Sequence, residues 1–170
     1  MTSQDTVRGV DGDLHTSDQA TIWRWRQAFQ HDFAARMDWT VKPYSRANHH
    51  PQVRVNGRAG TAPVVVDARV GTPVTLDAAG TRDPDGNRLR YRWFHYQEAG
   101  VGTAPALAAV TLRGTTTSRA TVTPTATCRP QWLPGRPCPA TGVAHVVLAV
   151  TDTGAPTLTS YRRVILNVRS

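Results

Sequence analysis

Lysine is almost absent from this chain of 170 residues, and arginine carries the positive charge. Lys42 is the only lysine among the 20 residues counted as lysine or arginine, and the net charge is +8. A basic chain raises nucleic acid as a partner. However, the arginines are scattered from Arg8 to Arg169 without a basic run, and the spacings of RNA-recognition motifs and zinc fingers are missing. The charge pattern therefore favours a chain with no specific nucleic-acid partner.

Long apolar runs are also missing. No segment approaches the roughly 20 apolar residues that a transmembrane helix needs, and residues 1–20 contain no apolar core of a secretion signal. We expect no membrane partner, and either a cytoplasmic protein or the C-terminal part of a longer, secreted or periplasmic chain. The apolar fraction is 39% without glycine, and the 13 glycines bring it to roughly 47%, which is ordinary for a globular protein, so a buried core is expected.

The sequence motifs of the common catalytic and metal sites do not occur. The chain contains no G-x-S-x-G, no H-E-x-x-H and no P-loop. Asp11 and Asp13 lack the further acidic spacing of a calcium loop, and the adjacent His49 and His50 have no cysteine or carboxylate near them in sequence. We therefore expect a turn at the aspartates, solvated histidines, and no enzymatic activity in this chain itself.

Only two cysteines occur, Cys128 and Cys138, on either side of the proline-rich segment RPQWLPGRP. Two thiols cannot complete a tetrahedral metal site without partner ligands, and a catalytic thiol would lack a placed base. We favour a disulfide, which would close a loop of about 11 residues and stabilise the fold by roughly 3 kcal/mol. A disulfide in turn favours export. Trp132 at the tip of this loop is a candidate ligand for sugars, because such a loop offers little core to bury an indole.

What the chain does contain is a β-rich part organised around residues 74–96. Residues 74–77 alternate apolar and polar side chains, as in a strand with one buried face. The turn that follows carries Asp83, Asp85 and Asn87, whose oxygens at alternate positions resemble half of a calcium loop, although no bidentate glutamate follows. We expect a turn stabilised by its own side chains, with calcium at these three residues as the alternative. In the next strand, alternation places Trp93 in the core.

Turn signals separate a series of further short strands. Predicted strands cover residues 52–56, 62–68, 74–77, 89–96, 107–112, 119–123, 142–151 and 161–168. Seven or eight short strands at this spacing are typical of a β-sandwich, and strands flanking DPDG and leading to Y-x-W are typical of immunoglobulin-like or PKD-like modules. The sequence predicts a mainly β fold, an immunoglobulin-like antiparallel β-sandwich preceded by one amphipathic α-helix.

The predicted helix covers residues 19–37, with Ser17 or Asp18 as its cap. Large apolar residues recur on it at spacings of three and four and form one stripe, here called the helix stripe: Ile22, Trp25, Phe29, Phe33 and Met37. Burying each such side chain stabilises by roughly 1.5–3 kcal/mol, so the helix stripe predicts a docking surface. The predicted division of the chain is a polar segment 1–18, a docking helix with its linker 19–50, and a sandwich 51–170.

Two blocks of the sequence resemble a known family. They are residues 20–44, ATIWRWRQAFQHDFAARMDWTVKPY, and residues 74–96 together with the tail at 145–168. Together they resemble the C-terminal region of bacterial cellulose-binding proteins that have an N-terminal nucleoside-hydrolase-like domain. The resemblance implies that the helix ends the hydrolase-like part and that an immunoglobulin-like domain follows the linker. The aspartate cluster that holds calcium in such hydrolases has no counterpart here, so the resemblance implies a non-catalytic portion of a longer protein.

The resemblance leaves two functions open. One is an accessory module that binds polysaccharide through Trp132, Phe94, Tyr96 and Arg92, with support of the neighbouring sheet or loop as the alternative role of Phe94 and Tyr96. The other is a structural brace or interaction domain for the hydrolase-like domain, with the helix stripe buried between them. On a free-standing chain the helix stripe would be an exposed apolar surface or a dimer interface. No cofactor other than calcium is expected.

Overall fold

The structure, a computed structural model, describes residues 4–8, 13–97, 99, 106–129 and 137–170. The polar N-terminal segment contains two short strands where the sequence predicted none. Strands β1 (Asp5–Arg8) and β2 (Leu14–Ser17) pair antiparallel, and the hydroxyls of Thr6 and Thr16 lie 2.8 Å apart across the pair. The backbone is thus extended, but with a strand pairing that its polar composition did not predict.

Two consecutive helices replace the single predicted one. Helix α1 (Ala20–Trp23) is followed, after a break at residues 24–25, by helix α2 (Arg26–Val41). The hydroxyl oxygen of Ser17 accepts hydrogen bonds from the backbone N–H groups of Gln19 (2.9 Å) and Ala20 (3.3 Å), which fixes the start of α1. In the part of the chain that the structure describes, neither helix is long and apolar enough to cross a membrane.

Helix α2 ends four residues later than the pattern of apolar residues predicted. It continues past Met37 to Val41, and Lys42 is extended, with φ −103° and ψ 144°. Lys42 precedes Pro43, and the residue before a proline is sterically kept out of the helical region. The proline therefore sets the end of the helix.

The remaining strands form two sheets packed face to face. The five-stranded sheet has the order β3-β10-β9-β5, with β6 paired to β9, and the three-stranded sheet has the order β4-β8-β7. The strands are β3 (Val64–Arg69), β4 (Val74–Asp77), β5 (Arg90–His95), β6 (Ala106–Leu107), β7 (Ala109–Arg113), β8 (Arg119–Ala126), β9 (Thr141–Thr151) and β10 (Thr159–Arg169). The protein is therefore the mainly β sandwich that the sequence predicted.

The sandwich is antiparallel except at β3–β10 and β6–β9, where the strands run parallel. β3 pairs with the last strand of the chain, Val64 opposite Val164 and Arg69 opposite Arg169. Gly71, with φ +80°, then turns the chain from β3 towards β4 in the other sheet. Because β3 and β4 lie in different sheets, they do not form a hairpin. The turn signals in the sequence therefore could not predict the direction of β3.

The core lies between the two sheets. Trp93 on β5 is 2% exposed, which confirms the prediction from alternation, and its indole N–H donates to the carbonyl of Thr117 over 3.0 Å. The predicted first strand, residues 52–56, is not a strand, since it has only isolated bridges. It nevertheless sends Val53 and Val55 into the core. The segment thus contributes side chains to the core of the sandwich without belonging to either sheet.

Candidate functional site

Aromatic and arginine side chains alternate on the outer face of the five-stranded sheet. Ala149 on the central strand β9 lies between Arg92 of β5 and Tyr161 of β10. The next row in the same phase has Phe94 of β5 on one side of β9 and Arg163 of β10 on the other. Because side chains of every second residue share a face, these rows form one surface in which each arginine neighbours an aromatic ring.

Trp25, in the break between the two helices, lies on this surface. Its ring centroid is 4.9 Å from that of Tyr161 and 6.0 Å from those of Phe94 and Tyr96. The contacts with Tyr161 and Tyr96 are edge-to-face, a favourable geometry for aromatic pairs. Phe94 and Tyr96 are half-buried. Both lie on the face opposite Trp93, where the indole of Trp25 covers them in part.

A cleft of about 510 Å³ remains between the helix and the sheet, beside these contacts. We call it the helix–sheet cleft. Its lining comes from the helix, the linker, the segment before β3, and the outer face of the sheet: Trp25, Ala28, Phe29, Asp32, His50, Thr61, Tyr96, Val147, Thr159, Tyr161 and Arg163. Four aromatic rings and several polar groups thus converge on one concave surface, the usual make-up of a small-molecule site.

A carboxylate at the rim of the cleft is held from two sides. Asp32 accepts hydrogen bonds from Nε of Arg36 at 2.8 Å and from Nε2 of His50 at 2.7 Å. The bond from Arg36 is the main cause that lowers the pKa of Asp32, and the bond from His50 acts in the same direction against the effect of burial. Asp32 is therefore an ionised group that ties the linker to helix α2.

The positive charges of the outer face act on the neighbouring groups. Burial raises the pKa of Tyr161, and the charge of Arg92 opposes that rise. Burial also lowers the pKa of His145, and the charge of Arg163 lowers this pKa further. Both arginines lie on the same face of the sheet as the aromatic rings, as the strand register shows. Arg92 also lies over the ring of Phe94, with 5.2 Å from its Cζ to the ring centroid.

Most of the helix stripe is not buried against the sandwich. Ile22, Phe29, Phe33 and Met37 are between 49% and 65% exposed, and Trp25 makes the aromatic contacts with the sheet. The helix is attached elsewhere through polar contacts. Nδ1 of His31 lies 2.9 Å from the carbonyl oxygen of Thr157, and the indole N–H of Trp39 donates to the carbonyl of Asn48 over 2.8 Å.

The two adjacent histidines are not solvated, so that expectation was wrong. His49 stacks on Tyr44 with ring centroids 3.7 Å apart, and its Nδ1 lies 3.0 Å from a carboxylate oxygen of Asp85. His50 bonds Asp32, as described above. The partners lie 36 and 18 residues away along the chain. No local sequence pattern predicts these contacts. The available signal was a pair of adjacent histidines next to a proline.

The acidic turn is held by its own side chains. Oδ1 of Asp83 accepts hydrogen bonds from the backbone N–H groups of Asp85 (2.9 Å) and Asn87 (3.1 Å), and the Asn87 amide donates to Asn48. The described residues contain no group of three His, Cys, Asp or Glu side chains that could hold a metal ion. The second oxygen of Asp83 is buried without a hydrogen-bond partner among them. Calcium at this turn stays a prediction.

The structure joins Cys128 and Cys138 by a disulfide, with their Cα atoms 5.3 Å apart. Residues 130–136 between them, including the sugar-ligand candidate Trp132, lie outside the described residues. The other three candidates do lie together, since Phe94, Tyr96 and Arg92 belong to the outer face described above. The residues that sequence reasoning missed are Tyr161 and Arg163, because their strand was predicted from its buried positions alone.

The two sheets, with a helix placed on one outer face, define an immunoglobulin-like β-sandwich. Residues 73–168 match the family described as cellulose-binding protein Sde0182, C-terminal domain, and the chain belongs to this family. No curated protein matches the sequence.

A solved structure is similar over almost the whole chain. It is a nucleoside hydrolase-related hypothetical protein from Saccharophagus degradans that is associated with carbohydrate metabolism, with 33% sequence identity and a TM-score of 0.70. The match covers 97% of this chain and 40% of that one, so the chain spans two-fifths of the length of that protein. A PKD domain from the KIAA 1837 protein is 21% identical over 70% of this chain and 88% of its own, with a TM-score of 0.38.

Proposed function

We propose that this chain is a non-catalytic accessory module that binds polysaccharide in the helix–sheet cleft. The observation that carries the proposal is the convergence of four aromatic rings with polar side chains on a single cleft of about 510 Å³. Aromatic rings stack on the apolar faces of sugars, and polar groups at the rim bond the hydroxyls. Membership of a family described as cellulose-binding supports a carbohydrate-related role.

The cleft is open enough for a polymer. Tyr161 at its floor is 38% exposed, and the polar lining groups are spread between helix, linker and sheet rather than gathered at one point. A catalytic centre would need a positioned nucleophile or a pair of acid and base groups. The carboxylate of Asp32 instead accepts hydrogen bonds from Arg36 and His50.

Affinity electrophoresis in gels that contain hydroxyethylcellulose, xylan or soluble chitin tests the proposal. We expect at least one of these glycans to retard the chain. Tyr161→Ala should weaken the binding roughly two- to tenfold, because an aromatic pair contributes about 0.5–1.5 kcal/mol beyond its buried area.

The matched control is Phe33→Ala, which removes an exposed aromatic ring from helix α2, outside the cleft lining. It should leave retardation unchanged. Trp132→Ala is measured in parallel. Retardation that depends on Trp132 and not on Tyr161 would move the site to the disulfide loop, and no retardation by any glycan would rule out the proposal.

A second function, a structural brace for a hydrolase-like domain, is supported by the exposure of the helix stripe. Four of its five large apolar side chains are exposed, and the similar structure from Saccharophagus degradans extends well beyond the matched region. Exposed apolar side chains that form a contiguous stripe commonly mark an interaction surface. We infer that the remainder of a longer chain would cover it.

Co-purification of this chain with the nucleoside-hydrolase-like domain of such a longer relative tests the brace. Phe33→Ser should weaken the association, whereas Val65→Ser, at an exposed apolar position on β3, should not. A complex that survives Phe33→Ser and Ile22→Ser together would contradict this function. Gel filtration of the chain alone would show whether a second copy covers the stripe instead.

We infer that the protein is exported as part of such a longer chain. The disulfide between Cys128 and Cys138 supports this, because disulfides persist in oxidising compartments. Mass spectrometry of protein made under oxidising conditions should find no free thiol. Two free thiols in that material would contradict the inference.

A further inference from the structure

Two arginine side chains lie in or beside the helix–sheet cleft. Arg163 belongs to its lining, whereas Arg92 lies outside the lining, over the Phe94 ring and level with Tyr161 across β9. Both side chains are exposed. Neither has an ion-pair partner within the part of the chain that the structure describes.

The one carboxylate in the lining does not offset these charges. Asp32 accepts hydrogen bonds from Arg36 of the helix at 2.8 Å and from His50 of the linker at 2.7 Å. Its negative charge is therefore already paired within the protein. The overall net charge of +8 has the same sign as the cleft. A positive cleft on a positive protein raises the local concentration of anions.

The register of the sheet places two arginines around Tyr161, one along its own strand and one across the sheet. Tyr161 has Arg163 two residues further along its own strand, and Arg92 lies level with it on the other side of β9. Strands two apart in a sheet are separated by roughly 9–10 Å, and alternate residues along a strand by roughly 7 Å. A sugar ring stacked on Tyr161 therefore lies within reach of two flexible arginine side chains.

We propose that the cleft takes an anionic polysaccharide, one whose sugar rings carry carboxylate or sulfate groups, in preference to a neutral glycan. This inference rests on the proposed polysaccharide binding. The planar guanidinium group pairs with a carboxylate or a comparable oxyanion through two parallel hydrogen bonds, which neutral hydroxyls cannot match. Because both arginines are exposed and lack an internal ion-pair partner, the anionic ligand replaces water rather than an existing salt bridge.

Dissociation constants measured for polygalacturonate, dextran sulfate, neutral dextran and hydroxyethylcellulose test the proposal. We expect tighter binding of one or both anionic polymers, and the comparison of the two assigns carboxylate or sulfate. Arg92→Gln and Arg163→Gln should each weaken that binding about tenfold, as expected for the loss of a charge-assisted hydrogen bond. Binding should also fall between about 0.1 M and 1 M salt, where the Debye length shrinks from about 10 Å to about 3 Å.

Arg113→Gln is the control with the same loss of charge. Arg113 is exposed on β7 in the other sheet, so its variant should bind as the wild type does. Melting curves of the variants verify that each is folded.

The possible failures are distinct. Hydroxyethylcellulose bound as tightly as polygalacturonate, with no change in the Arg92 and Arg163 variants, would overturn the anionic preference and leave polysaccharide binding standing. Single-stranded DNA bound as tightly as the anionic polysaccharides would also overturn it, since the cleft would then attract any polyanion. No binding of any glycan would remove both proposals.

Discussion

The helical region and the sandwich bury their apolar residues very differently. In the sandwich, Trp93, Leu76, Leu148 and Leu166 are all 2% exposed or less. Among the helix side chains that the structure describes, those of Ala20 and Ala35 are fully buried, while large side chains of the helix stripe remain exposed. The sandwich thus has a core of its own, whereas the helices depend on Trp25 and a few polar contacts.

This difference separates the part of the molecule that stabilises the fold from the part that contributes little to it. A buried apolar core accounts for folding stability, and the sandwich has one. An exposed apolar stripe costs solubility and contributes little to the fold of this chain. We therefore expect substitutions in the sandwich to change global stability and substitutions in the helix to change local attachment or association.

Trp93→Ala should have the largest effect, because it removes the largest buried side chain of the core. Truncations of this kind cost about 3–5 kcal/mol. The indole also bonds the Thr117 carbonyl, which would lose its partner. Urea denaturation followed by circular dichroism should show a much lower midpoint. A loss below about 1 kcal/mol would mean that the sandwich core does not depend on this residue, and Phe33→Ala serves as the control on an exposed ring.

Trp25→Ala should have an intermediate effect confined to the helices. The indole is half-buried against three rings, so we expect about 1–2 kcal/mol, less than for a core tryptophan. Hydrogen exchange should become faster in α2 and remain slow in β9, since the two regions can open separately. Faster exchange in both regions alike would show that helix and sandwich form one cooperative unit.

Asp32→Asn should have the smallest effect, and it should depend on pH. The pKa of Asp32 is lowered in the folded protein, chiefly by Arg36. The resulting stability is therefore present above the pKa of the unfolded state, near 3.8, and is lost as the pH falls through the folded value. The melting temperatures of wild type and variant should differ slightly at pH 6 and converge as the pH falls through the lowered pKa of Asp32. A constant difference across that range would contradict the role given to this carboxylate.

Much of the sandwich could be predicted from sequence because buried apolar residues recur at every second position of a half-buried strand. Val146, Leu148 and Val150 on β9 are all buried, and the inward position of Trp93 followed from the same alternation. The turn at Asp83 could also be predicted, since its bonds to Asp85 and Asn87 are local.

The cleft could be predicted only in part. Sequence reasoning chose Phe94, Tyr96 and Arg92, which alternate along one predicted strand; Tyr96 lines the cleft, and the other two lie beside it on the same face of the sheet. Tyr161 and Arg163 complete the surface from β10, and their position depends on the pairing of both strands with β9. Likewise, the contact between His50 and Asp32 joins a linker to a helix. Such contacts between distant segments follow from the folded arrangement and leave no periodic signal.

The parallel pairing of β3 with β10 has a mechanical consequence. The sandwich begins with β3 and ends with β10, and Val64 and Arg169 lie at opposite ends of that pair. Tension applied between these two residues would shear the strands along their length, so that the hydrogen bonds between them share the load. Tension across the antiparallel turn between β9 and β10 would instead open the bonds one after another. Single-molecule pulling should therefore find higher rupture forces along the first direction.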